Sequence, residues 1–175
     1  MAFIPELTTR VNVKADTTDL DSVISLTTSI PALNKYLRNA KTRLHGATDK
    51  VADTISETLS EYQRQIISMK HYKTGVMSNS VDITIAGQGK RLVGNTAQSV
   101  DGFPYPLAIE RGTKSHMIRP VQYKALHWRS GGKDYYSKGH MVSGIRADPF
   151  VEPSIRLTRQ RVDDIIGNYL GEVFK

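Results

Sequence analysis

The sequence predicts an α+β fold, in which a small antiparallel sheet of about four strands is packed by a long helix in the N-terminal half and by a C-terminal helix. Three observations carry this expectation. Apolar residues recur at spacings of three and four from Leu33 to Ile66, a period of two replaces that spacing from Val81, and a second helical stripe follows Asp148-Pro149. A length of 175 residues suits one domain. We assign residues 1–30 to an N-terminal arm with a short helix and residues 31–175 to a single α+β domain.

Near the N-terminus, Val11 and Val13 alternate with Arg10, Asn12 and Lys14, the pattern of an extended strand or arm. Thr18 then stands as an N-cap before Leu20, Val23, Ile24 and Leu26, which predicts a short helix ending before Pro31. Pro31 opens the main helix. Leu33, Leu37, Ala40, Leu44, Ala47, Val51, Ile55, Leu59, Tyr62 and Ile66 form one continuous stripe. Those 34 residues reach roughly 50 Å as a helix, longer than a compact domain of this size is wide. The helix therefore kinks near Gly46 or projects. Asp53, Glu57 and Glu61 share a face by their spacing of four, and without histidine neighbours they read as solvated surface.

Val81, Ile83 and Ile85 alternate with Asp82, Thr84 and Ala86, and residues 87–90 (GQGK) turn the chain into Arg91-Leu92-Val93-Gly94, a β-hairpin. Residues 95–104 are a polar connection containing Gly and Pro, suited to an exposed loop. Tyr105, Ala108, Ile109 and Gly112 sit at helical spacing, predicting a turn or two of helix that buries Tyr105 and Ile109 and leaves Glu110 and Arg111 outside. Arg119-Pro120 then enforces extended backbone. Gly131-Gly132 places a turn between residues 124–128 and 135–142, giving a second hairpin. Proline is tolerated in a first helical turn, so Asp148-Pro149 opens the last helix, with Ile155, Val162, Ile166, Tyr169 and Val173 on one face.

Three separated runs in this order resemble one known family. The first is Lys73-Thr74-Gly75, then Asn79-Ser80-Val81. The second is Tyr105 to Thr113, followed by His116, Ile118, Pro120 and residues 124–128 (KALHW). The third is Gly144, then Pro149-Phe150-Val151-Glu152-Pro153-Ser154. Together they are similar to the tail-completion or minor tail-component proteins of long-tailed double-stranded DNA bacteriophages. Val76-Met77-Ser78, Pro106 and Ser143 depart from the family's usual residues. The resemblance covers residues 70–155, and the first 30 residues lie outside it.

The resemblance implies a non-enzymatic structural virion protein of the phage neck, assembled in the host cytoplasm, which joins or completes the tail for attachment to the DNA-filled capsid. It also implies a ring of identical subunits, hexameric in number. Its neighbours would be other neck and tail proteins such as head-closure or tail-terminator subunits, with packaged DNA within reach.

Charge is concentrated. The chain carries +7 in all, and residues 111–146 alone hold eight cations, Arg111, Lys114, Arg119, Lys124, Arg129, Lys133, Lys138 and Arg146, against one acid, Asp134. Tyr123, Trp128, Tyr135 and Tyr136 are interleaved with them. Cations neutralise phosphate while rings stack, so this composition suits a nucleic-acid surface. It also suits a basic face for an acidic protein neighbour, or a merely solvated face with tyrosines turned into the core. A nucleic-acid-binding protein using residues 111–146 is accordingly the alternative function.

Other classes find little support. The histidines at 45, 71, 116, 127 and 140 lack the i, i+4 pairing around an acid that a helical zinc site uses, and cysteine is absent. A metal-dependent hydrolase would need His116, His127 and His140 to converge. Gly87, Gly89 and Gly94 form neither a dinucleotide fingerprint nor a P-loop. Ser78 and Ser80 have no base at recognisable spacing, and Thr74-Gly75 reads as a backbone turn that launches a strand. We expect no catalytic residue, metal or cofactor. No apolar run approaches the roughly 20 residues a bilayer requires, and residues 1–10 lack the pattern of a leader, so a soluble, untargeted protein is expected.

Overall fold

The computed structural model describes residues 7–13, 31–71, 74–100 and 102–173. Its elements are β1 (Thr9–Asn12), α1 (Pro31–His71), α2 (Val76–Asn79), β2 (Val81–Gly87), β3 (Lys90–Asn95), α3 (Tyr105–Arg111), β4 (His116–Ile118), β5 (Leu126–Ser130), β6 (Lys133–Ser137), β7 (His140–Val142), α4 (Val151–Arg159) and α5 (Val162–Val173). The class is α+β, with antiparallel strands throughout. The short helix expected over residues 18–26 lies outside the described residues.

The strands do not form one sheet of four. β1, β3 and β2 make a three-stranded sheet in that order, while β4–β7 and β5–β6 are separate two-stranded ribbons. Glycine explains the division. Residues 135–142 read as one strand, but Gly139 takes φ 147° and breaks that strand into β6 and β7. Each half then pairs with a different partner, β6 with β5 and β7 with the distant β4.

In the main sheet β3 is central, with Val93 opposite Thr9 on one side and Ile83 on the other. The β2–β3 turn is locked from two directions. Gly89 donates its amide to Asp49 Oδ1 at 2.7 Å and accepts from Val13 N–H at 2.7 Å. With φ 61°, and with Val13 O only 2.2 Å from where a Cβ would stand, Gly89 admits no side chain. β1 thus forms one edge of the sheet, and its Val11, with Leu7 just before the strand, is buried in the common core.

α1 is one helix of 41 residues, about 60 Å long, and it continues through Gly46. No described side chain from residue 35 to 46 is buried, and burial begins at Ala47. From there α1 packs against the sheet and against both C-terminal helices. Leu59, Ile67, Val81, Val93 and Phe150 are at most 2 % exposed. Burial stabilises each by about 1.5–3 kcal/mol.

The rest of the stripe is small and polar. Buried Ser56 and Ser60 donate their hydroxyls to Ala52 O and Glu57 O, and on α4 Ser154 and Thr158 donate to Val151 O and Ser154 O. Short side chains satisfied within their own helix let two backbones approach closely. Gln63, wholly buried on α1, has neither amide atom paired among the described residues.

The last helix is two helices. α4 ends at Arg159 and α5 starts at Val162, with Arg161 N–H turning back to Thr158 O at 2.9 Å. The apolar stripe lapses at this point. Between Ile155 and Val162 the inward position falls to Thr158, whose hydroxyl bonds to the carbonyl four residues back, a pattern that bends helices. α5 is held to α1 by the hydroxyl pair Thr54 and Tyr169, 2.9 Å apart.

Asp53 is not merely solvated surface. Arg91, 4 % exposed, donates from Nε to Asp53 Oδ1 at 2.5 Å and approaches Asp49 at 3.4 Å. The hydrogen bond to Asp53 is the main reason the guanidinium pKa is raised. This cation is consumed inside the fold. No helix among the described residues is long and apolar enough to cross a membrane.

Candidate functional site: a basic, aromatic arm

Residues 114–143 form an arm, and its base is a joint between backbones. Thr113 N–H donates to Ile145 O at 2.8 Å, Ile145 N–H returns to Thr113 Oγ1 at 3.0 Å, and Asp148 N–H donates to Ile109 O at 2.9 Å. Glycine makes this approach possible. A Cβ on Gly112 would lie 2.6 Å from Ile145 O, and one on Gly144 would lie 1.9 Å from Thr113 O.

Glu110, expected to face outward, instead reaches across this joint. Phe150 N–H and Val151 N–H donate to Glu110 Oε2 at 2.8 and 3.2 Å, so the carboxylate caps the start of α4 from α3. Negative charge there also complements the helix dipole. Phe150, fully buried, is carried into the core by the same joint. Tyr105, partly buried, packs against the same core cluster, and burial raises its phenol pKa.

Tyr105, Ile109, Glu110, Gly112, Thr113, Gly144 and Phe150, which carry much of the family resemblance, therefore meet in one place. The first run is explained likewise as scaffold. Gly75, in the left-handed region with φ 74°, starts α2, and Asn95 Nδ2 holds that helix through Met77 O at 2.8 Å. Ala97 N–H in turn donates to Asn95 Oδ1, which tucks the beginning of the 95–104 connection inward.

Beyond the joint the arm has no core of its own. The main hydrophobic cluster takes no described residue from 112–149. β4 and β7 pair Met117 with Met141, and the β5–β6 hairpin is nested between them. Gly131 and Gly132, both with positive φ, make its two-residue turn. On one face Trp128 stacks on Tyr135 at 5.6 Å, and Trp128 meets His140 at 5.0 Å, tying hairpin to ribbon. The other face stacks His127 on Tyr136 at 4.7 Å, with His127 Nε2 3.0 Å from Asp134 Oδ1.

A groove of about 920 Å³ lies against that second face. Arg119, Pro120, Val121, Gln122, Tyr123 and Ala125 line one side, and Leu126, His127 and Tyr136 line the other. Tyr123 and Tyr136 are 80 % and 71 % exposed, so these tyrosines are not turned into the core.

All eight cations of residues 111–146 are exposed, and among the described residues none forms an ion pair. They fall into three places. Arg111, Lys114 and Arg146 surround the joint. Arg119 lines the groove and its stem lies beside Gly139, next to Lys138; Lys124 lies in the groove's loop, and Arg129 shares a strand face with His127. Lys133 stands near the turn on the opposite face, with Trp128 and Tyr135. The sequence alone did not single out Val121, Gln122 and Tyr136 as one surface, because the groove forms only when residues 119–125 fold back on the hairpin.

The three arm histidines are not brought together. His127 and His140 meet opposite faces of the hairpin, and His116 Nδ1 engages Lys114 O. No group of three or more His, Asp or Glu among the described residues is placed to hold a metal ion. Comparison of the chain with protein-family models, curated proteins and solved structures found no match.

Proposed function

We propose that the protein is a non-enzymatic structural subunit of the neck of a long-tailed double-stranded DNA phage, where it completes the tail for attachment to the filled capsid. One observation supports this reading above others. Many of the residues that resemble the tail-completion family build the joint from which the arm extends, and others, His116, Ile118, Pro120 and residues 124–128, lie along the arm itself. A two-stranded ribbon is marginal alone in water. Met117, Met141 and Ile145 leave apolar surface exposed along this one, the signature of a face awaiting a partner.

In this reading the arm docks on neighbouring neck or tail subunits. Repetition of that contact around an axis closes a ring through head-to-tail interfaces. Electron cryo-microscopy of virions or of isolated tails carrying the protein tests it. Density for a closed ring at the neck is the expected result, and density elsewhere in the particle overturns the assignment.

A further inference from the structure

The groove on the hairpin has a chemistry that neck assembly does not require. Tyr136 stacks with His127, lines the groove and is still 71 % exposed, so much of its ring remains accessible. Tyr123, across from it, is more exposed still. Arg119 lines the groove, Lys124 belongs to the loop that forms it, Arg129 shares the strand face of His127 and Tyr136, and Lys138 precedes Gly139, beside which the Arg119 stem lies; all four are exposed and without an acidic partner among the described residues. Asp134, the one acid in residues 111–146, is occupied by His127.

We infer that this groove binds a single-stranded nucleic-acid segment, with bases stacking on Tyr136 and Tyr123 and phosphates contacting Arg119, Lys124, Arg129 and Lys138. An accessible flat ring is a platform any base can use, and an unneutralised run of cations favours a polyanion over an ordinary protein surface. Duplex DNA would engage the cations alone, because its bases are already stacked on each other. The volume of about 920 Å³ falls within the roughly 300–1,000 Å³ typical of ligand sites. This inference stands independently of the neck assignment.

The test is fluorescence anisotropy of the full-length protein with a labelled mixed-sequence 12-nucleotide single strand and with the matching duplex, from 25 to 300 mM salt. Single strand should bind more tightly than duplex. With four phosphate contacts, log K against log salt should fall with a slope of about −3. Tyr136→Ala should weaken binding about tenfold without changing that slope, and Tyr136→Phe should restore it. Paired reversal, Arg119→Glu with Lys124→Glu, should flatten the slope by at least 1.

Tyr136 is exposed, so its removal is not expected to unfold the chain; an unchanged urea midpoint verifies this. Absence of binding at 25 mM salt overturns the inference and leaves the groove to a protein partner. Equal affinity for duplex together with no effect of Tyr136→Ala also overturns it, since cations alone would then account for binding. Neither result bears on the ring, which microscopy decides separately.

Discussion

Removing the carboxylate of Glu110 should destabilise the protein more than its half-buried position implies. The side chain accepts two amides at the start of α4, at 2.8 and 3.2 Å, and those donors have no carbonyl of their own helix to turn to. Losing a cap costs about 1 kcal/mol, and hydrogen bonds to a charged acceptor contribute about 1.5–3 kcal/mol, so two such bonds discounted for partial exposure give about 2–3 kcal/mol for Glu110→Ala. Glu110→Gln keeps an acceptor oxygen and loses only the charge at the helix N-terminus, a cost of about 0.5–1 kcal/mol. Equilibrium urea unfolding measures both. With an m-value of about 2 kcal/mol/M, the alanine midpoint should fall by about 1 M and the glutamine midpoint by less than half of that. An alanine shift under about 0.2 M, or a glutamine variant as damaged as the alanine one, refutes capping as the role of this residue.

Gly144→Ala sets a Cβ 1.9 Å from Thr113 O and should cost on the order of 3 kcal/mol, whereas Gly46→Ala, with nothing within 4 Å, should stabilise by about 0.5–1 kcal/mol; thermal unfolding separates the two. Asp53→Ala leaves buried Arg91 with Asp49 as its one carboxylate, beside the Gly87 and Lys90 carbonyls, and should cost about 1–3 kcal/mol, and adding Arg91→Met should recover part of the loss in a double-mutant cycle. Gln63→Met removes two buried polar atoms unpaired among the described residues, and its urea midpoint should rise by the equivalent of about 1 kcal/mol. Burial raises the pKa of Tyr105 above its ordinary 10.0, so its contribution to stability is complete below pH 10 and is lost as pH rises through the higher folded value. Wild type should therefore lose stability relative to Tyr105→Phe only above about pH 10, and a constant difference across pH 7–11.5 refutes this.

What could be read in advance follows the range of the interaction. The stripe from Leu33 to Ile66 is local, repeats for many turns, and became α1. The β2–β3 hairpin and the Gly131-Gly132 turn are local too, and both formed where glycine placed them. The partners of Glu110 and Asp53 lie about 40 residues away, so no window around either carboxylate reveals what it touches. The break between α4 and α5 falls where the apolar stripe is interrupted by Thr158, and the same hydroxyl bond four residues back leaves α1 unbroken at Ser56. For the candidate site, residue types were legible and geometry was not: the cations and rings stand out in composition, while the groove depends on residues 119–125 folding back against Tyr136.

The joint at the base of the arm has a consequence for how such a chain can change over time. Its two strands enter and leave the body at contact distance, fixed by Thr113 and Ile145, so the span between them is an insert whose ends are already held together. Lengthening a closed span costs little, about 0.6 kcal/mol for each doubling. Residues 114–143 are therefore free to gain, lose or exchange sequence while the body keeps its fold. Changes of length would be absorbed in the arm, while the glycines and the glutamate at its base stay fixed by the contacts they make.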